Sequence, residues 1–554
     1  MAIFIAAVSV AAQERKPLLS SEQAKDVFSS KDATAKLAKE YEAKASVDYA
    51  EGKIIFASSE LYAAKFFALA LKYGGSAQML SEIISRPDTL EEFVCLLAPE
   101  DDAAKVFEIL SNIQKASPEK FSKYISCAAA IALVFDTPPP AVWPHAQVSE
   151  IDLPRKFQNP VEWFLKIADM REKGRFLLPT EKLSIQEAKF AVATLADDSD
   201  REWAQKSISS TLANIEKLYP SIVYDNGRIS EKAFVWRGGE YRLKNIKSRG
   251  GICTDQAYFT SETAKARGVP ALIFIGAGSD GFHAWTAYML KSGSWKFDVG
   301  RYANARFVTG TTMDPQTWKP ATDHSLNAMR ESFRNSPKYA LCLAHAAFAE
   351  YFLKKKNFEN STAAARAAIA ADPRNADAWN ILIESLRESE NAAAARAVLA
   401  EAAKSFSQYP DIDADFRKRL IDELNARGES EAAEKLSSSI ILKTKNSRPD
   451  IAMRFARLEL EGKIADDNID KLNSSYKRLL GVFKSDPAMC IGGIAIPIMN
   501  ALLAQRKFDK AAAVMKITKQ TFKSSKDASI TAAIDDVSSQ LERIISKVEN
   551  AKTN

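Results

Sequence analysis

The chain has 554 residues, enough for three or four units with their own cores. Hydrophobic residues make up 46% and charged residues 26%, proportions that exclude a disordered or fibrous chain. The net charge of +6 is spread over 76 basic and 70 acidic side chains, with no Lys/Arg stripe interleaved with aromatics, so nucleic acid is not an expected partner.

The first residues, "MAIFIAAVSVAA", are apolar and small and end in an Ala-x-Ala-like stretch. They read as a signal peptide over residues 1–15, signal-like in 1–12, which implies a secreted or periplasmic protein; if the segment is not cleaved, the protein is cytoplasmic. No later apolar run reaches the roughly 17–25 residues of a bilayer span, so no stable transmembrane segment is expected.

Residues 16–140 repeat apolar side chains at helical spacing. In "SELYAAKFFALALKYGG", Leu61, Ala64, Phe67 and Leu71 share a face and glycines stop the run. This predicts an N-terminal helical domain. Four prolines between Asp136 and Pro144 then mark a linker or strap, with His145 as an exposed loop residue, and connecting helices fill 141–190.

Between 191 and 325 the pattern changes. "ALIFIGAG", "FHAWTAYML" and "SWKFDVGRY" are β-like, and "KSGS" joins the last two as a hairpin. The stretch "GAGSDG", Gly276 to Gly281, fits the spacing of a dinucleotide-binding loop, but the residues after it are strand-like, so a mobile loop beside a site is expected.

From 336 to 554 the chain is helical again and self-similar. At an offset of 34, His345 aligns with Trp379, Phe348 with Leu382, Phe352 with Leu386 and Ala368 with Ala402. That period, with Phe358, Ala365, Ala368 and Pro373 in place, resembles the tetratricopeptide repeat family; Ser407 stands where the second copy's terminal proline belongs. The resemblance implies a repeat domain able to hold a peptide partner; an irregular helical bundle is the alternative. His345 and Cys342 read as core residues.

The five cysteines, Cys95, Cys127, Cys253, Cys342 and Cys490, are far apart and form no Cys-x-x-Cys pair, and there are only four histidines. Neither a disulfide framework nor a metal site is expected. Cys253 alone has a chemical setting: "RGGICTDQAYF" places it behind two glycines at the start of a helix that Gly268 and Pro270 close. Unpaired amides at a helix N-terminus favour a thiolate, so its pKa is expected to be lowered. His283 and Asp298 fall on consecutive predicted strands, where one can serve as base and the other as the carboxylate that orients it.

The order Gly251-Ile252-Cys253, then "GVPA" from Gly268 to Ala271, "HAW" from His283 to Trp285 and "W...D" from Trp295 to Asp298 resembles the transglutaminase-like superfamily, a branch of the papain-like cysteine enzymes. The likeness covers roughly 80 residues. It implies that Cys253 attacks an amide carbonyl, His283 moves the proton and Asp298 holds the imidazole, with a thioester intermediate and no cofactor. The substrate is then a protein or peptide, and the acyl group passes to water or an amine. The backbone amide of Cys253 and either Trp236 or Tyr241 are the oxyanion-donor candidates, and Gly251 and Trp285 the pocket candidates. "RGGIC" with "DVG" also resembles arylamine N-acetyltransferases, which keeps an acyltransferase in view. A non-catalytic scaffold with a degenerate central domain is the alternative from another class. The expected architecture is multidomain and mainly α, with one central α+β unit built on an antiparallel sheet.

Overall fold

A computed structural model describes residues 17–278, 281–301, 309–328, 337–465, 468–523 and 528–553. The signal-like residues 1–12 lie outside these, as do 279–280 in the glycine-rich loop. The protein is mainly helical, 68%, around one small five-stranded antiparallel sheet.

The N-terminal helices follow the predicted periodicity. Ile54–Tyr73 buries Leu61, Ala64, Phe66 and Phe67 and ends at Gly74, whose φ of +80° a side chain would resist. This is the one described helix long and apolar enough by length and composition to cross a membrane, and 56% of its most apolar window is buried within the protein, consistent with the expectation of no stable transmembrane segment. Phe66 meets Phe28, Phe93 and Phe107 in ring contacts, and the buried Glu60 carboxylate takes the Lys44 ammonium. The apolar surface is thus used for helix packing.

The strands are β1 (Ala271–Gly278), β2 (Gly281–Lys291), β3 (Ser294–Val299), β4 (Thr309–Met313) and β5 (Pro320–Thr322), ordered β3-β2-β1-β4-β5. β2 and β3 form the predicted hairpin, pairing Tyr288 with Lys296 and Met289 with Trp295, and Gly293 turns at φ +71°. Gly276 to Gly281 spans a strand-to-strand connection, so no helix follows the glycines and the dinucleotide motif lacks its context. Ala284 through Met289 are all buried, which means both faces of β2 are covered and explains an unbroken apolar run instead of alternation. One cover is the helix Cys253–Ala266, whose Ala257 carbonyl accepts from the Thr286 hydroxyl at 3.1 Å.

The chain divides into two compact units. One comprises Met1–Gly276, Phe282–Ala303 and Gly310–Val398; the other is Leu399–Asn554 with Ala277–Gly281 and Asn304–Thr309. The N-terminal helices and the sheet therefore belong to one body. A buried polar cluster shows why: Lys189 donates to Gln316 at 2.7 Å and lies 3.4 Å from Asp314, while the Gln316 amide donates to the Leu96 carbonyl and the Asp101 carboxylate. Such a network holds only if every member keeps its partner.

Helical hairpins run from Pro337 into the second unit. Asn357 and Asn391, 34 positions apart, each cap a 14-residue helix, Phe358–Ala371 and Ala392–Ser405. Lys356 and Glu390, immediately before them, both adopt positive φ, at 57° and 60°. The recurrence is thus one of backbone geometry as well as of apolar spacing, and Phe348, Ala368, Trp379, Leu382 and Ala402 are buried. Cys342 is fully buried, and His345 shares one hydrogen bond with the Tyr49 hydroxyl at 2.8 Å. In the second unit, Phe455, Leu472, Tyr476, Leu479, Ile498 and Val514 form the core of a separate helical stack.

Candidate active site

Cys253 is the first residue of its helix, and the two glycines before it are required by contact. Gly250 has φ +81°, and a Cβ there would come within 2.5 Å of the Val223 carbonyl oxygen. A Cβ on Gly251 would come within 2.4 Å of the Asp255 side chain. Asp255, in the first turn, accepts from the Ile252 amide at 2.8 Å, the Arg228 guanidinium at 2.6 Å and the Tyr241 hydroxyl at 2.7 Å. Gly251 therefore serves the cap, and is buried rather than lining an open pocket.

The Tyr219 hydroxyl, 2.6 Å from the Ala284 carbonyl oxygen and 3.4 Å from the Cys253 carbonyl oxygen, ties the start of the cysteine helix to the residue after His283. Helix start and β2 thus adjoin at their backbones. Burial pushes the Cys253 thiol above its ordinary value, Asp255 adds to this, and the amides of Ala284, Thr254 and Cys253 pull the other way. The helix terminus is expected to lower this pKa; removal from water outweighs it.

His283 is buried, and its Nε2 lies 2.7 Å from the Gly300 carbonyl oxygen. A carbonyl only accepts, so Nε2 carries a proton, and Nδ1 is the nitrogen left to act as a base. Asp298 is exposed and accepts from Arg301 at 3.1 Å. The residue that holds His283 from the end of β3 is thus Gly300, two positions beyond Asp298. Gly300 has φ +85°, and a Cβ there would lie 2.4 Å from the Tyr219 ring. Tyr219 in turn donates to the Ala284 carbonyl at 2.6 Å, tying the turn after β3 to the strand that bears His283. Asp298→Asn should consequently lower any turnover by less than about threefold, because an exposed charge pair contributes little; a loss above about a hundredfold in steady-state assays would show the carboxylate acting on the imidazole.

The Tyr241 hydroxyl proton is directed at Asp255, and the Trp236 indole N–H at the Gly239 carbonyl at 2.7 Å. Trp285 is fully buried, 6.2 Å from the His283 ring and beneath the Arg301 guanidinium at 5.0 Å, so it supports the histidine from below. Arg301 also donates to the buried Asp323 at 2.9 Å. Among the described residues no group of three or more His, Cys, Asp or Glu is placed to hold a metal ion.

His145 is not exposed, contrary to the expectation from its proline-rich setting. It is 1% accessible, with Nε2 3.0 Å from the Tyr241 hydroxyl and Nδ1 accepting from the Gln147 amide at 3.3 Å. The strap lies on the cysteine helix, where Thr254 donates to the Gln147 side chain at 2.5 Å. Burial pulls the His145 pKa down from 6.5 to about 3, helped by Arg155 and Arg228. The unfolded imidazole binds its proton near pH 6.5 and the folded one only near 3. Stability from this residue is therefore complete above about pH 6.5 and falls by up to about 1.4 kcal/mol per pH unit below it. Urea denaturation of His145→Phe should show a shallower acid dependence than wild type between about pH 6.5 and 4; parallel curves would contradict a buried, neutral imidazole.

Compared with known proteins, the chain matches no family model and no curated protein.

Proposed function

We propose that the protein is a cysteine-dependent acyl-transfer enzyme of transglutaminase-like type, acting on amide or peptide bonds. The observation that carries this is Cys253 at a helix start, tied through the Tyr219 hydroxyl to the Ala284 carbonyl beside His283, with the imidazole oriented through Nε2. In the reaction, Nδ1 of His283 takes the thiol proton as Sγ bonds to the carbonyl carbon. The C–N bond then breaks, and the leaving amine takes that proton from His283. Water or a second amine attacks the resulting thioester as His283 accepts its proton; the C–S bond then breaks, and His283 returns that proton to the sulfur. No step needs a metal or organic cofactor. The helical hairpins after Pro337, tetratricopeptide-like in period, are the part suited to recruiting a protein or peptide partner.

Alkylation tests this directly. Cys127, Cys342 and Cys490 are buried and Cys253 is only partly so. Iodoacetamide should modify Cys253 well ahead of these three, with a rate that climbs with pH as the raised thiol ionises, and His283→Ala should slow it. Equal labelling of all the cysteines in the native protein would defeat the proposal. The elevated thiol pKa favours a second reading, a binding scaffold on an inactive fold; a mixed panel of amide substrates left intact by protein with a mapped, accessible Cys253 would select it.

A further inference from the structure

Four large apolar side chains stand in solvent on the segments that build the Cys253 site. Val223 is 76% exposed, Phe234 45%, Val235 51% and Phe282 86%. Each is fixed to the site by backbone. The Val223 carbonyl accepts from the Gly251 amide at 2.9 Å. The Phe234 carbonyl accepts from Arg228, which also holds Asp255, and Val235 comes next in the chain. Phe282 directly precedes His283. A Phe at 86% exposure beside a buried histidine is removed from water only when something binds.

The same rim is basic. From Arg228 to Arg249 the chain carries seven Lys/Arg and two Glu. Lys232, Lys244, Lys247 and Arg249 are exposed, and among the described residues none of these four is in an ion pair. Lys247 spends one proton on the Ser221 carbonyl at 2.8 Å, which anchors it two residues from Val223. Lys244, Lys247 and Arg249 lie on the short helix Leu243–Arg249, which leads through Gly250 and Gly251 into Cys253.

We infer that the site accepts an extended peptide with a large apolar side chain beside the scissile carbonyl and carboxylates flanking it. This rests on the acyl-transfer reading for the identity of the reacting bond, but recognition itself needs neither Cys253 nor turnover. The apolar side chain covers Phe282 and its neighbours, and the carboxylates answer the unpaired cations, which set orientation and encounter rate.

The test uses full-length Cys253→Ala and wild-type protein with three fluorescein-labelled nonapeptides, each with a central Phe flanked by Asp, Ser or Lys. At about 50 mM salt the Asp-flanked peptide should bind the Cys253→Ala protein about fivefold more tightly than the Ser-flanked one, with the Lys-flanked one weakest; at about 0.5 M salt the three should converge. Lys244→Glu combined with Arg249→Glu should abolish the preference, and Phe282→Ser should weaken all three peptides alike. These variants are solvent-exposed, and unchanged far-ultraviolet circular dichroism would confirm that they fold. Equal binding of the three peptides at low salt overturns the inference. So does self-association of the protein that Phe282→Ser removes, since a second copy would then be the occupant. Preferential binding with no hydrolysis or aminolysis by wild type would sink the acyl-transfer reading and keep this surface; turnover without the preference would do the reverse.

Discussion

Cys253→Ala should abolish amide turnover, by a factor on the order of 10³ or more, and His283→Ala should approach the same loss. Neither should unfold the protein. Alanine keeps the Cβ of a half-buried residue at the helix start, and the cap on Ile252 comes from Asp255, not from the sulfur. If nucleophile and base act as one unit, the double variant should be no worse than either single one. The pH profile carries the second half of the prediction. With the thiol held up by burial, the nucleophile rests as the thiol. The acylation rate, measured in a single turnover, should keep rising from pH 7 to about 9 as thiolate becomes available. A plateau already reached by about pH 6 would mean a preformed thiolate, and would show that desolvation does not dominate at this sulfur.

The second large effect is expected at Gly300, which has no side chain to do chemistry. Alanine there would have to adopt φ +85° and place its Cβ 2.4 Å from the Tyr219 ring. The backbone must shift, and with it the carbonyl that fixes the His283 tautomer. We expect Gly300→Ala to cost about 1–3 kcal/mol of stability by thermal denaturation, and at least about tenfold in turnover. Tyr219→Leu, which shrinks the opposing ring, should recover part of the stability in the double variant, though it also removes the hydroxyl bond to the Ala284 carbonyl. Wild-type activity in Gly300→Ala would show that the Gly300 carbonyl does not orient the base.

Several of these features are legible in the residue string and others are not, for physical reasons. The cysteine at a helix start is legible because glycine pairs and helix stops are local signals, and the β-region because branched and aromatic residues cluster there. The 34-residue recurrence is legible in its apolar positions. The direction of the thiol shift is not, since desolvation depends on what packs over the sulfur. His145 misleads because prolines advertise a surface loop, while its burial comes from Tyr241, 96 positions away, and no periodicity connects the two. Asp298 draws attention that belongs to Gly300 because a carbonyl has no letter in the sequence. The proline-rich stretch reads as a boundary between units; the structure puts residues on both sides of it into one body, where Lys189, Asp314, Gln316 and Asp101 are joined by hydrogen bonds and an ion pair.

That last cluster bears on how the molecule can be shortened. A fragment trimmed to 191–325 would leave Gln316 without Lys189, the Leu96 carbonyl and Asp101, and would strip from Tyr241 and Thr254 the partners that His145 and Gln147 provide. The apolar surface around these groups would lose its cover, and such a fragment should precipitate or remain molten when expressed alone. Excision of a folded piece that holds the sheet must therefore begin upstream of the N-terminal helices that supply Leu96 and Asp101.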